Sequence, residues 1–311
     1  MSGREKMLAN EPVGRLIWRL SLPAMVGMFV NGLYNLVDTI YIGHGVGSMG
    51  IAGLSVAFPI QMIIGGTGLM LGVGTASLIS RSLGAKDYDK AQRAFGNNLL
   101  ATLLLGLIYI FLGRSFLPSI LALFGASAEI MPYASEYMSV IFLGSPLIIF
   151  TMSMNNVIRS EGAARTAMWS MLVGAIANII LDPIFIFALG MGIRGAAVAT
   201  VLSRVLVISW IVWFFQSGNS ILSLRARDLA PRFSILREIL TIGFPAFLQH
   251  ASSSLVFGMI NQLLGLYGGN IAVAVFGVNN RVIMFSAMPT IGIAQGMQPI
   301  AGYNYGARQY G

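Results

Sequence analysis

The chain has 311 residues, 56% of them hydrophobic and 10% charged, with a mean hydropathy of +0.78. Soluble globular chains carry about 25% charged residues, so this composition excludes a soluble domain and specifies a polytopic membrane protein. The net charge of +8 invites a nucleic-acid partner, and the absence of cysteine excludes disulfides and thiolate metal sites.

Spans are read from runs of about 20 apolar residues, the length a helix needs to cross a bilayer. Residues 1–15 are polar and carry both acids and bases. The apolar run that follows is too long for a signal-peptide core and lacks a cleavage site, so it is the first permanent span. That span covers 16–43, with Pro23 near its start. A glycine-rich turn at 44–50 leads to span two, 51–79, and a charged loop at 81–93 leads to span three, 95–116. Span four is 133–157, span five 166–189 and span six 195–215. The longest polar segment, 216–238, reads as a linker, and spans seven (239–266) and eight (271–301) follow it.

The bases sort by side. Arg4, Lys6, Arg15, Arg19, Arg81, Lys86, Lys90, Arg93, Arg159, Arg165, Arg225, Arg227, Arg232, Arg237 and Arg308 fall at one end of the predicted spans. Only Arg114 and Arg194 fall at the other. This positive-inside asymmetry predicts a multi-pass protein of the cell membrane with a cytoplasmic N-terminus and linker, and it accounts for the net charge without nucleic acid.

An offset of 222 residues superposes spans one and two on spans seven and eight without a net gap. Leu22-Pro23-Ala24 meets Phe244-Pro245-Ala246, Gly74 meets Gly296, and the run from Gly84 to Tyr88 meets that from Gly306 to Tyr310. The pattern predicts an all-α protein with a six-helix lobe (1–215), an inter-lobe linker (216–238) and the first two helices of a second lobe (239–311), as in a C-terminally truncated product or a fragment of a twelve-span protein. Parallel repeats of this kind place substrate between the halves near the midplane.

Two acids lie well inside the spans, Asp38 and Asp182. An ionised carboxylate there costs roughly 2.5–3.5 kcal/mol on insertion scales, so each demands a partner or a role. Asn178 and Asp182 are four apart and share a helix face, and Pro183 cannot bond the carbonyl of Ile179. In span one Asn31, Asn35 and Asp38 also share a face, with Tyr34 beside them. Two carboxylates in a low-dielectric pocket hold a proton or a cation between them. The plainer alternatives are a proline-kinked helix whose Asp bonds a neighbouring span, or pairing with the intramembrane bases Arg204 and Arg281. Ile260 stands opposite Asp38 in the repeat, and no Asp or Glu occurs from Ile239 onward, so carboxylate chemistry belongs to the first lobe. The glycines at 65, 66, 68, 72 and 74 read as small-residue helix packing, since no P-loop lysine accompanies them. His250 reads as packing rather than a ligand. No zinc, Ser–Lys or Cys–His motif is visible, so no enzyme and no cofactor is expected.

At Leu22-Pro23, Val37-Asp38-Thr39, Gly72-Val73-Gly74, the run from Ser80 to Ala85, Asn178 to Pro183 and Gly195-Ala196-Ala197, the sequence resembles the multidrug and toxic compound extrusion (MATE) family. The resemblance implies two six-helix lobes and export of cationic amphiphilic compounds in exchange for H⁺ or Na⁺. Carried over by position, the coupling-ion site is Asp38, Asn178, Asp182 and Thr200, with Asn31, Tyr34 and Asn35 as a supporting polar face. The implied partners are organic cations, H⁺ or Na⁺ and the bilayer. A lipid-linked oligosaccharide flippase of the same superfamily, and a non-transporting truncated membrane protein, stand as the alternatives.

Overall fold

The computed structural model describes residues 3–223 and 226–309. Among them the chain is helical throughout: α1 (Gly3–Asn10), α2 (Val13–Gly45), α3 (Ser48–Gly84), α4 (Tyr88–Leu123), α5 (Met131–Leu143), α6 (Ser145–Ser160), α7 (Ala164–Pro183), α8 (Gly192–Gln216) and α9 (Phe233–Gly306). Six of these helices are long and apolar enough to cross a membrane, and the α5–α6 pair, bent by 59°, makes a seventh. The 74 residues of α9 are about 110 Å of helix at 1.5 Å per residue, enough for two crossings. They part at Gly269, whose φ of 68° breaks the helix. Its two limbs correspond to predicted spans seven and eight.

The breaks and starts have local causes. Asp87 caps α4 by accepting from the Lys90 amide at 3.0 Å. Pro132 and Pro146 occupy the first turns of α5 and α6, where a missing N–H costs nothing. At the bend, a Cβ on Gly144 would stand 2.3 Å from a Val201 methyl, so glycine lets α8 seat into the corner. Span four, expected as one continuous helix, is therefore two.

The centre of the bundle is α3. In its apolar window 61% of residues are buried, against 18% to 33% in the windows of the other five long helices. Its glycines allow this. A Cβ on Gly68 would meet Met152 Cβ at 2.9 Å, one on Gly72 the Asn156 amide nitrogen at 2.8 Å, and one on Gly66 His250 Cβ at 2.8 Å. Close small-residue packing is thus what that glycine run does, and His250 packs against it.

The internal repeat is visible in the backbone. Lys86 and Arg308, 222 apart, both take a left-handed φ (59° and 57°), just after their helices end. A Cβ on Gly84 would lie 2.1 Å from the Tyr303 carbonyl oxygen, and one on Gly306 would lie 2.0 Å from that of Arg81. Since 84 and 306, and 81 and 303, are equivalent positions, the contact is its own mirror with the roles exchanged. That is the signature of an isologous, two-fold relation between α3 and the second limb of α9.

Contacts also sort the turns by end. Glu238 bonds Arg81 and Lys90, and Glu161 bonds Ser220, which gathers the base-rich turns at one end. Asn270 bonds Glu129 and Ser127 at the opposite end. Arg225 and Tyr310 lie outside the described residues.

Candidate functional site

The predicted residues sit on α2, α7 and α8, which pack on one another. Small residues set the approach. A Cβ on Gly27 would stand 2.8 Å from Met171 Sδ, and one on Gly174 the same distance from a Val207 methyl. After Pro183 the chain runs as a single π-helical turn, Ile184–Ala188, closed by Leu189 N–H donating to the Ile184 carbonyl at 2.9 Å. The proline thus changes the hydrogen-bond pattern directly beside Asp182. This turn is clamped from both sides. Gly45 at the end of α2 fits against Ile186 and Phe187, and the Tyr41 and Phe187 rings meet edge-on at 6.2 Å. On the other side a Cβ at Gly195 would stand 2.7 Å from the Phe185 main chain, so α8 starts flush against the turn.

The clamp brings Asp38 and Asp182, the two carboxylates well inside the spans, within electrostatic reach of each other. Asp182 is fully buried, Asn178 is 1% exposed and Asp38 6%. Asn178 Nδ2 donates to Asp182 Oδ1 at 3.1 Å. The remaining side-chain oxygens of this pair, Asn178 Oδ1 and Asp182 Oδ2, are buried and have no hydrogen-bond partner. Both are acceptors.

Thr200 is buried on α8 five residues beyond Gly195; its backbone carbonyl accepts from Ser203 Oγ at 2.7 Å. On α2, Asn35 Nδ2 donates to the Asn31 carbonyl at 2.8 Å and to Asn31 Oδ1 at 3.1 Å, and Thr39 Oγ1 to the Asn35 carbonyl at 2.8 Å. These bonds fix the polar face of α2 one turn below Asp38. Among the described residues Arg204 pairs with no carboxylate: its Nη2 donates to Tyr34 Oη at 3.1 Å. The side chain of Arg281 lies outside the described residues. Among the described residues no group of three or more His, Cys, Asp or Glu is placed to hold a metal.

A model of the MatE family matches residues 23–184 and 245–311. The chain belongs to the MATE family. It is 33% identical over 300 residues to the multidrug export protein MepA of Staphylococcus aureus, a match covering 96% of this chain and 66% of MepA. It is 44% identical to the MATE multidrug transporter DinF-BH, solved as a complex, with a TM-score of 0.94 over all of this chain and 70% of that one. A MATE multidrug resistance transporter of the MOP superfamily, solved outward-facing, is 35% identical with a TM-score of 0.89, over 99% of this chain and 68% of that one. The chain thus spans about two thirds of the length of these relatives.

Sequence reasoning misses one part of the interior. It places Arg159 in the loop after span four, whereas Arg159 occupies the last turn of α6 and is 5% exposed. With Asn155 and Asn156 it forms a polar patch at helical spacing on α6, beside Arg204 of α8 and Gln295 of α9 in the wall of a common cavity. The spacing of 155, 156 and 159 is the signal that could have found it.

Proposed function

We propose that this lobe couples the entry of H⁺ or Na⁺ to the export of cationic amphiphilic compounds, with Asp38 and Asp182 holding the ion and Asn178 and Thr200 supplying neutral oxygens. The observation that carries the reading is the pair of buried, partnerless acceptors, Asn178 Oδ1 and Asp182 Oδ2, beside a second carboxylate. In a span such atoms are costly unless a positive charge visits them. The names of the relatives, a multidrug export protein and a multidrug transporter, agree with the export half of the reading.

The ion drives the cycle through its different affinity for two states of the lobe. With Asp182 and Asp38 both ionised, repulsion across the α2–α7 contact opposes close packing. A bound proton or Na⁺ removes that repulsion and favours the approach of α2 to the π-helical turn through Gly45. This shift moves the α2 face carrying Asn31, Tyr34 and Asn35, and so reshapes the cavity beside that face. Residues 1–215 form the coupling lobe in this reading, 216–238 the linker and 239–311 the start of the second lobe, with the base-rich end in the cytoplasm.

The test is efflux from proteoliposomes of the full-length protein under separately imposed pH and Na⁺ gradients. Dependence on one gradient, lost in both Asp38→Asn and Asp182→Asn with expression intact, is expected. Gradient-driven efflux at the wild-type rate in both variants would sink the assignment.

A further inference from the structure

Toward the base-rich end, α2, α6, α7 and α8, with α3 and α9, line a half-open pocket of about 610 Å³ counting the space it shares with solvent; its walls include Asn31, Tyr34, Asn155, Arg159, Arg204 and Gln295, and no Asp or Glu. Four buried side-chain atoms of these residues have no hydrogen-bond partner: Arg159 Nε, Arg204 Nε, Asn155 Oδ1 and Gln295 Oε1. The hydrogen bonds the two guanidinium groups do make go to neutral oxygens, Asn156 Oδ1 at 3.5 Å and Tyr34 Oη at 3.1 Å. Among the described residues no carboxylate pairs with either arginine.

Guanidinium does not give up its proton in proteins. Two positive charges therefore face one low-dielectric space without a counter-ion, an expensive arrangement that persists only if something answers it. A purely structural role explains part of this. Arg159, in the last turn of α6, offsets the carbonyl end of that helix. It does not explain Arg204, which is twelve residues from either end of α8. Nor does it explain Asn155, whose amide nitrogen is held by the Ala167 carbonyl and Ser170 Oγ at 2.9 and 2.8 Å while its oxygen is left unmet.

We propose that this cavity binds the oxyanion, carboxylate or phosphate, of an amphiphilic substrate. Arg159 and Arg204 take the anion, since a guanidinium fork matches two oxygens at once. Asn155 Oδ1 and Gln295 Oε1 accept N–H groups of the same molecule. The cargo is then zwitterionic or anionic at one end, a narrower class than organic cations. The proposal rests on the export reading for the cavity's place on the transport route; binding itself needs no ion gradient.

The experiment is equilibrium fluorescence polarisation with purified full-length protein in lipid nanodiscs, with no gradient. The probes are a xanthene dye bearing a free carboxylate and its ethyl ester. The acid is expected to bind about tenfold tighter than the ester, roughly one charge-assisted contact. Arg204→Gln should bring the ratio to about one, and Arg204→Lys should restore part of it. Melting temperature and elution volume verify that each variant is folded. Discs containing phosphatidylglycerol separate the two sources of oxyanion. Competition against the acid, relative to phosphatidylcholine discs, identifies a lipid headgroup as the ligand, and its absence a soluble amphiphile. Equal binding of acid and ester by the wild type, or a preference retained in both Arg204→Gln and Arg159→Gln, overturns the proposal. Failure of the coupling-ion reading would instead show in the gradient assay and leave this ratio intact.

Discussion

Two carboxylates of this molecule, Glu161 and Asp182, are equally and completely buried, yet their surroundings are opposite. Glu161, in the turn between α6 and α7 at the base-rich end, is ringed by donors. Ser220 Oγ donates at 2.7 and 2.9 Å, the Ile221 amide at 2.9 Å, and the Arg4 guanidinium stands 3.8 Å away. Asp182, inside a span, has one donor from Asn178, one oxygen with no partner, and a second acid for a neighbour. Burial alone therefore says little about function. A carboxylate whose acceptors are all met is a fastener; one left short of donors in a low-dielectric site is prepared for something that arrives and leaves.

The largest effect that can break this contrast comes from neutralising each acid. Asp182→Asn should reduce gradient-driven efflux to the level of empty vesicles while the protein still inserts and melts normally. Glu161→Gln, equally buried, should leave efflux measurable. If the two variants transport alike, the distinction between fastener and site is wrong.

The next effect comes from the clamp that positions Asp182. Gly195→Val places a branched side chain where even a Cβ would stand 2.7 Å from the Phe185 main chain, so the π-helical turn must move. Overpacking of this kind costs about 1–3 kcal/mol, and efflux should fall severalfold through displacement of Asp182 and Thr200. Gly14→Ala, which meets nothing within 4 Å, is the matched control and should change neither stability nor transport. A Gly195→Val protein with wild-type efflux would mean that the turn does not set the site.

The contrast also explains what the sequence makes legible. Asp38 and Asp182 stand out because an acid in an apolar run is rare and costly, and the 222-residue offset marks as equivalent the positions, Gly84 and Gly306, whose contacts are reciprocal in the fold. Arg159 escapes because a base at the end of a span is what a positive-inside loop also looks like. Only the actual end of α6, at Ser160, places that guanidinium in the interior. The break at Gly144 and the π-helical turn after Pro183 escape for a related reason. Hydropathy counts residues along a run and is blind to which hydrogen bonds the backbone keeps. The role of Glu161 is equally hidden, since its partners lie 59 to 60 positions away in the linker and far back in α1.

The smallest expected effect sharpens the other half of the comparison. Burial pushes the Glu161 carboxyl up from its ordinary 4.5 to about 7, against the opposing pull of Ser220, the Ile221 amide and Arg4. Between those two values the unfolded chain has an ionised glutamate while the folded one keeps its proton. The folded state then binds more protons, so stability is greatest at the acid end, declines as pH rises from about 4.5 to about 7, and is flat above. Since Glu161 ties the start of the linker to the α6–α7 turn, the loss should appear first as local opening there. Hydrogen exchange at 220–223 should quicken across that window while exchange within α3 stays constant, with a drop of a few degrees in melting temperature. Glu161→Gln keeps an acceptor for Ser220 and carries no charge, so it should flatten both curves. Linker exchange in the wild type that does not depend on pH beyond its chemical rate would show that the donors, not burial, govern Glu161. The fastener would then hold its charge as firmly as its position.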